Sequence, residues 1–209
     1  MGHSRASKQQ THARLVAAAA ARFKEHGVDG ISLADLMKEL KLTHGGFYKH
    51  FASRDELVTE ALDLALSQSA QTVRERLFGG EQPDLSRFVD FYLADAHREG
   101  RAEGCAVAAL AGDASRKSAA VQAQFREHIA GNVDSLVKAL PPVGSSEERR
   151  ASALLVLSAL YGALTMARAV GDSALSREIL RTARKRIPAL AGGGNTPRSR
   201  VKKKARAPR

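Results

Sequence analysis

Apolar positions in this chain recur at helical intervals almost from the start. Leu15, Ala18, Ala19, Phe23 and His26 share one face and the pattern stops at Gly27, which predicts a first helix over about Lys8 to His26. In the stretch ISLADLMKEL, Ser32 can cap a short second helix, Asp35 follows three residues on as in a capping box, and Ile31 can staple against Leu36. Only Lys41 and Leu42 then precede Thr43, another capping residue, so a third helix must begin there after a sharp turn. Ser53-Arg54-Asp55-Glu56 opens a fourth helix, carried by Leu57, Ala61, Leu64 and Leu77 to near Phe78. Beyond a loop at 79–84, helices are expected at about 84–98, 105–114, 118–139, 146–170 and 173–187, with prolines and glycines in the gaps. The expected class is all-α: a three-helix helix-turn-helix domain over 1–51, a larger helical domain over 52–190, and a disordered basic tail over 191–209.

Two adjacent glycines, Gly45 and Gly46, stand in the opening turn of the third helix. Each costs about 1 kcal/mol of helix propensity relative to Ala. Two readings of that weakness are open. The glycines relax a tight turn, or they let the backbone of a recognition helix approach a ligand more closely than a Cβ allows. The residues after them favour the second. Tyr48, Lys49 and His50 supply three donors within one turn, and Arg54 opens the next helix; all four can donate to phosphate oxygens. His44 is the side chain best placed for a base edge, Thr43 can cap and touch phosphate, and Ser32 joins the set as the cap of the second helix. Phe47 and Phe51, four apart, read as core.

Charge sharpens this picture. The formal net charge is +11 and it is concentrated at the ends of the chain. Residues 1–50 hold eight basic and four acidic side chains, the last twelve residues hold seven basic and none acidic, and residues 51–197 are neutral. Such a distribution suits a polyanionic partner. A single cysteine, Cys105, excludes an internal disulfide and fits a reducing cytoplasm. No stretch reads as a membrane span, since 151–169 is interrupted by Ser158, Gly162 and Arg168. The seven histidines show no metal-binding spacing and no phosphate-cradling loop follows a strand, so no catalytic residue, metal or cofactor is assigned and an enzyme is not expected.

Residues 31–62, ISLADLMKELKLTHGGFYKHFASRDELVTEAL, resemble the DNA-binding region of the tetracycline-repressor (TetR) family, most strongly in GGFYKHFASRDEL. The resemblance implies that Tyr48, Lys49, His50 and Arg54 meet phosphates while His44, Gly45 and Gly46 face bases. It implies a dimeric, ligand-responsive regulator, more often a repressor, acting on a palindromic operator in double-stranded DNA. It puts the homodimer interface on the helices at about 146–170 and 173–187. The stripe Leu154, Leu155, Ser158, Gly162 and Thr165 fits that placement, though a buried core helix predicts the same stripe. The family's effector pocket would fall among the middle helices, where Phe88, Phe91, Tyr92, Cys105, Phe125, His128, Tyr161 and Met166 lie; for any one of them core packing is the better reading. Cys105 opens a short helix beside Arg101, so modification of its thiol is a second conceivable release signal, against the plainer reading of a buried small hydrophobe. The rival to a specific regulator is an architectural protein coating nucleic acid through its basic tail.

Overall fold

The computed structural model describes residues 5–191. The basic tail beyond Ala191 lies outside the described residues, and with it the expectation of disorder there. The order is α1 (Arg5–His26), α2 (Leu33–Glu39), α3 (His44–Phe47), α4 (Arg54–Phe78), α5 (Leu85–Tyr92), α6 (Asp95–Glu99), α7 (Ala106–Ala114), α8 (Ala119–Ala139), α9 (Ser146–Ala169) and α10 (Ala174–Ala191). No strand occurs among the described residues.

Leu15, Val16, Ala19, Ala20 and Phe23 bury one face of α1, mainly against α4. The helix stops at Gly27, whose φ of +82° is the left-handed conformation an L-residue avoids. Ser32 caps α2 by accepting the Asp35 amide at 3.1 Å, but the capping box is not closed as expected: the Asp35 carboxylate takes the Ser32 hydroxyl instead, at 2.6 Å. At the far end of α2, Lys41 N–H donates to Lys38 O and Leu42 N–H to Met37 O, two bonds that satisfy carbonyls the helix leaves over. This closure forces Lys41 to φ +57°, a position where an L-side chain costs roughly 1–2 kcal/mol. The helix-turn-helix is therefore held in a slightly strained turn. Thr43 caps α3 through the Gly46 amide at 3.2 Å, and after Phe47 the chain continues as tight turns to Phe51. Phe47 and Phe51 are buried with rings stacked 5.2 Å apart, and His12 of α1 stacks on Phe51 at 4.4 Å. Each such buried ring contributes about 1.5–3 kcal/mol.

Helix α4 runs from this unit into the body, touching both α1 and α8, so a single apolar core is continuous from Phe47 to Leu180. Ser53 caps it through the Glu56 amide, while the Glu56 carboxylate receives the amide of Ala52. Helices α9 and α10 form the most extensive helix pair. The inner face of α9 is Ala153, Val156, Leu157, Leu160, Ala163, Leu164 and Ala167; its outer face leaves Leu154, Leu155 and Met166 exposed. Among the described residues α9 alone is long and apolar enough to cross a membrane, on length and composition only.

Three boundaries depart from expectation. Helix α1 is already formed at Arg5, the first described residue, three residues before the expected start. The helix expected over 84–98 is broken at Leu93 and Ala94, where the ring Nδ1 of His97 lies 2.6 Å from the Tyr92 carbonyl and holds it away from the helical ladder. Helix α10 runs through Pro188, which has no amide to give the Arg184 carbonyl four residues back, so the helix gives up one bond of its ladder there.

Candidate nucleic-acid interface and effector cavity

The turn between α2 and α3, the start of α3 and the first turns of α1 surround an open concavity of about 600 Å³. Lys8 and Thr11 come from α1, Lys41 and Thr43 from the turn, and Gly46, Lys49 and His50 from α3 and the turns after it. Among the described residues it presents three ammonium groups and no carboxylate. Partial burial, followed by His12, Lys8 and Lys49, holds the His50 imidazole below its ordinary range, so at neutral pH it is uncharged. Its Nδ1 is buried and has no partner among the described residues.

Of the expected contact residues, Thr43, Gly46, Lys49 and His50 line this concavity, while Ser32, His44, Gly45 and Tyr48 do not and Arg54 is turned away. Ser32, Thr43, His44, Gly45, Tyr48 and Lys49 are all exposed, and Tyr48 is 62% exposed with its ring edge-on to His44 and Phe47. Arg54 is turned inward: its Nη2 donates to the carbonyls of Val28 (2.6 Å) and Ile31 (3.2 Å), and Nη1 lies 3.4 Å from Asp29. The 28–31 loop exposes carbonyls that no helix satisfies, and the guanidinium fork matches them better than a free phosphate. Lys8, Thr11 and Lys41 were not singled out in sequence, because only the fold brings residue 8 to residues 41–49.

The two glycines differ. A Cβ on Gly46 would sit 3.2 Å from Thr43 Oγ1 and 3.9 Å from Met37 Cε, so part of the reason for that glycine is the turn itself. A Cβ on Gly45 would meet nothing within 4 Å, and its φ is not left-handed. Nothing among the described residues explains Gly45.

A second, apolar cavity of about 40 Å³ lies beneath α5, where Phe88, Phe91 and Tyr92 face Ser69, Thr72 and Val73 of α4, with His97, Glu103, Gly104, Cys105 and Asn132 completing it. Cys105 is buried at the start of α7 and donates its amide to His97 Nε2 at 3.0 Å. The Tyr92 hydroxyl is buried beside Cys105 without a hydrogen-bond partner of acceptable geometry among the described residues, and burial pushes its pKa well up. Of the residues expected here, Phe88, Phe91, Tyr92 and Cys105 line the space. His128 and Tyr161 sit one layer behind, 2.9 and 3.0 Å from the Asn132 amide nitrogen, and Phe125 is core. Met166 does not belong to it: at 54% exposure it points outward from α9, on the same side as Leu155. Asn132, His97 and Ser69, which supply polar lining, went unrecognised in the sequence.

An N-terminal helix-turn-helix with a basic face, joined to a larger helical body, is the architecture of a DNA-binding transcriptional regulator. Residues 15–61 match the family described as bacterial regulatory proteins, tetR family, and residues 83–185 match the C-terminal domain of LmrA/YxaF-like transcriptional regulators. The chain belongs to the TetR family. The HTH-type transcriptional regulators Mb1846 of Mycobacterium bovis and Rv1816 of Mycobacterium tuberculosis are each 33% identical over 73 residues, 35% of this chain and 31% of theirs; the match spans about a third of the length of these relatives. A TetR regulator from Chloroflexus aurantiacus superposes with a TM-score of 0.72 at 23% identity, over 87% of this chain and 96% of that one. The reduced form of Escherichia coli NemR gives 0.68 at 21%, over 85% and 95%. At these identities the likeness is one of fold.

Proposed function

We propose that this protein is a dimeric repressor that binds a palindromic operator and releases it when a small molecule enters the cavity beneath α5. The observation that carries the DNA contact is Gly45: an exposed helical glycine with no intramolecular reason, flanked by Lys41 and Lys49. Thr43, His44, Gly45, Gly46 and Tyr48 meet the major groove, Lys8, Lys41, Lys49 and His50 meet the backbone on either side, and Ser32 lies at the edge of that footprint. Arg54 shapes the unit from within. The exposed apolar stripe of α9 supports the dimer, because a core helix would have hidden it. The expected test is selection of duplexes from a random pool, which should yield a palindrome with half-sites about one helical turn apart, roughly 34 Å. Enrichment of no sequence would sink the specific reading and leave the architectural one.

The cavity holds only about 40 Å³, room for two or three waters, whereas small organic ligands occupy several hundred. An effector therefore has to part α5 from α7, and the unpaired Tyr92 hydroxyl is the donor it would satisfy. Cys105, the N-cap of α7, lies in the cavity wall, and Asp113 in the last turn of α7 accepts the Val28 amide through Oδ2 at 3.1 Å, in the loop of the DNA-binding unit. Just beyond, Lys117 donates to both oxygens of Asp29 at 2.9 and 2.8 Å. Displacement of α7 is thus passed to the loop that Arg54 holds. Asp113→Ala is expected to speed amide hydrogen exchange at Val28 at least tenfold and to change operator affinity in the same variant; unaltered exchange would show that α7 does not hold the loop.

A further inference from the structure

Lys24, near the end of α1, is 5% exposed and makes no hydrogen bond or ion pair among the described residues. Opposite it, Arg168 of α9 donates through Nε to the Arg98 carbonyl at 3.1 Å and through Nη2 to the His97 carbonyl at 2.7 Å, leaving Nη1 buried and unpartnered. Both cations open onto one cleft of about 320 Å³ between α1 and the α7–α9 face, with Arg101 and His26 at its rim and Ala108, Ala109 and Ala169 as apolar wall.

The charges around this cleft do not cancel. Burial lowers the Lys24 pKa first; Glu103, from beyond ion-pair reach, and Cys105 oppose that, and Arg168 adds to it. Burial likewise lowers Arg168; Tyr92 and Cys105 oppose that, and Arg101 adds to it. The carboxylate that does line the cleft, Glu25, is already paired with Arg22 and lies 3.9 Å from His26. The carbonyl end of α1 offsets part of the Lys24 charge but not that of Arg168. A buried cation normally has a partner, because desolvation penalises it otherwise. Two facing cations without one are what an anion site looks like before it is filled.

We propose that this cleft is a second ligand site, separate from the apolar cavity, which takes the oxyanion of a small acid against Lys24 and the Arg168 guanidinium, whose buried Nη1 has to be uncovered for the contact. A carboxylate with a short apolar body fits the alanine wall, and a phosphate shares the same head-group chemistry. Because Lys24 belongs to the helix that carries the DNA-binding unit and Arg168 to the outer helix of the body, the bound acid ties one to the other. That consequence for operator affinity rests on the regulator reading above, whereas the site itself does not.

Calorimetric titration of the full chain with benzoate and, separately, inorganic phosphate at low ionic strength tests the site without DNA. Saturable binding of at least one is expected, weakened at least tenfold in Lys24→Met and recovered to within about threefold in Lys24→Arg. Lys24→Met removes an unpaired buried charge and should melt no lower than the wild type. Arg101→Ala, on the exposed rim, repeats the test without touching the core and should weaken binding at least threefold. Binding of benzoate alone identifies a carboxylate with an apolar body, of phosphate alone a phosphoryl group, and of both the shared oxyanion. No saturable binding of either probe, or wild-type affinity in Lys24→Met, overturns the site. Operator titration of the same samples separates the two readings, since acid binding without duplex binding keeps the site and removes the regulator.

Discussion

Gly45→Val is expected to lower operator affinity at least a hundredfold while the melting temperature stays within a few degrees of the wild type. The structural half of this follows from space: a side chain at position 45 points where nothing lies within 4 Å, and the backbone there needs no glycine. Valine is slightly better than glycine in a helix, so the fold loses nothing by propensity. The binding half follows from where that space is. Three methyl-sized groups would stand between the α3 backbone and base edges that have to be met at hydrogen-bond distance, and two half-sites suffer together in a symmetric dimer. A hundredfold is about 2.8 kcal/mol, or 1.4 per half-site, modest for a contact that is held off its groove. Fluorescence anisotropy with the selected duplex, alongside thermal denaturation, measures both quantities. Undiminished affinity would mean that α3 faces away from DNA. Gly46 offers no such clean test, because a Cβ there presses on the Thr43 cap and confuses folding with binding.

The parts of this molecule written locally in the chain were legible; those made by distant partners were not. Ser32, Thr43 and Ser53 announce three helix starts because a cap is a contact across three residues, and all three accept the amides expected of them. The left-handed Lys41 gave no signal, since the turn it closes usually advertises itself with glycine. The inward turn of Arg54 depends on carbonyls some twenty-five residues upstream, and the basic concavity needs Lys8 folded against Lys49. Likewise the break after Tyr92 comes from the ring of His97 five residues on, which no hydrophobic period records. Met166 is different. It follows Gly162 by four residues and Thr165 by one, so its place on the outer stripe of α9 was already implied by the spacing that defined the stripe. Counting it with the cavity aromatics weighed its size above its phase.

That stripe carries the second large effect. Leu155→Glu is expected to convert the protein to monomers at micromolar concentration and to reduce operator affinity at least a hundredfold, with the helical content unchanged. Leu155 is 59% exposed in the single chain and touches little of the core, and glutamate matches leucine in helix propensity, so the monomer has no reason to unfold. Its neighbours on the outer face, Leu154, Ser158, Gly162, Thr165 and Met166, alternate bulk with gaps, and a Cβ on Gly162 would meet nothing within 4 Å in the single chain. A two-fold face presents each residue twice, so one substitution buries two carboxylates in an apolar interface with no basic side chain on that stripe to receive them. Loss of the dimer then separates the two half-site contacts that have to act together. Sedimentation velocity reads the association state and anisotropy the affinity. A variant that still sediments as a dimer would move the interface off α9. A monomer that binds as tightly as the wild type would instead mean that one helix-turn-helix suffices, and the palindrome would go with it.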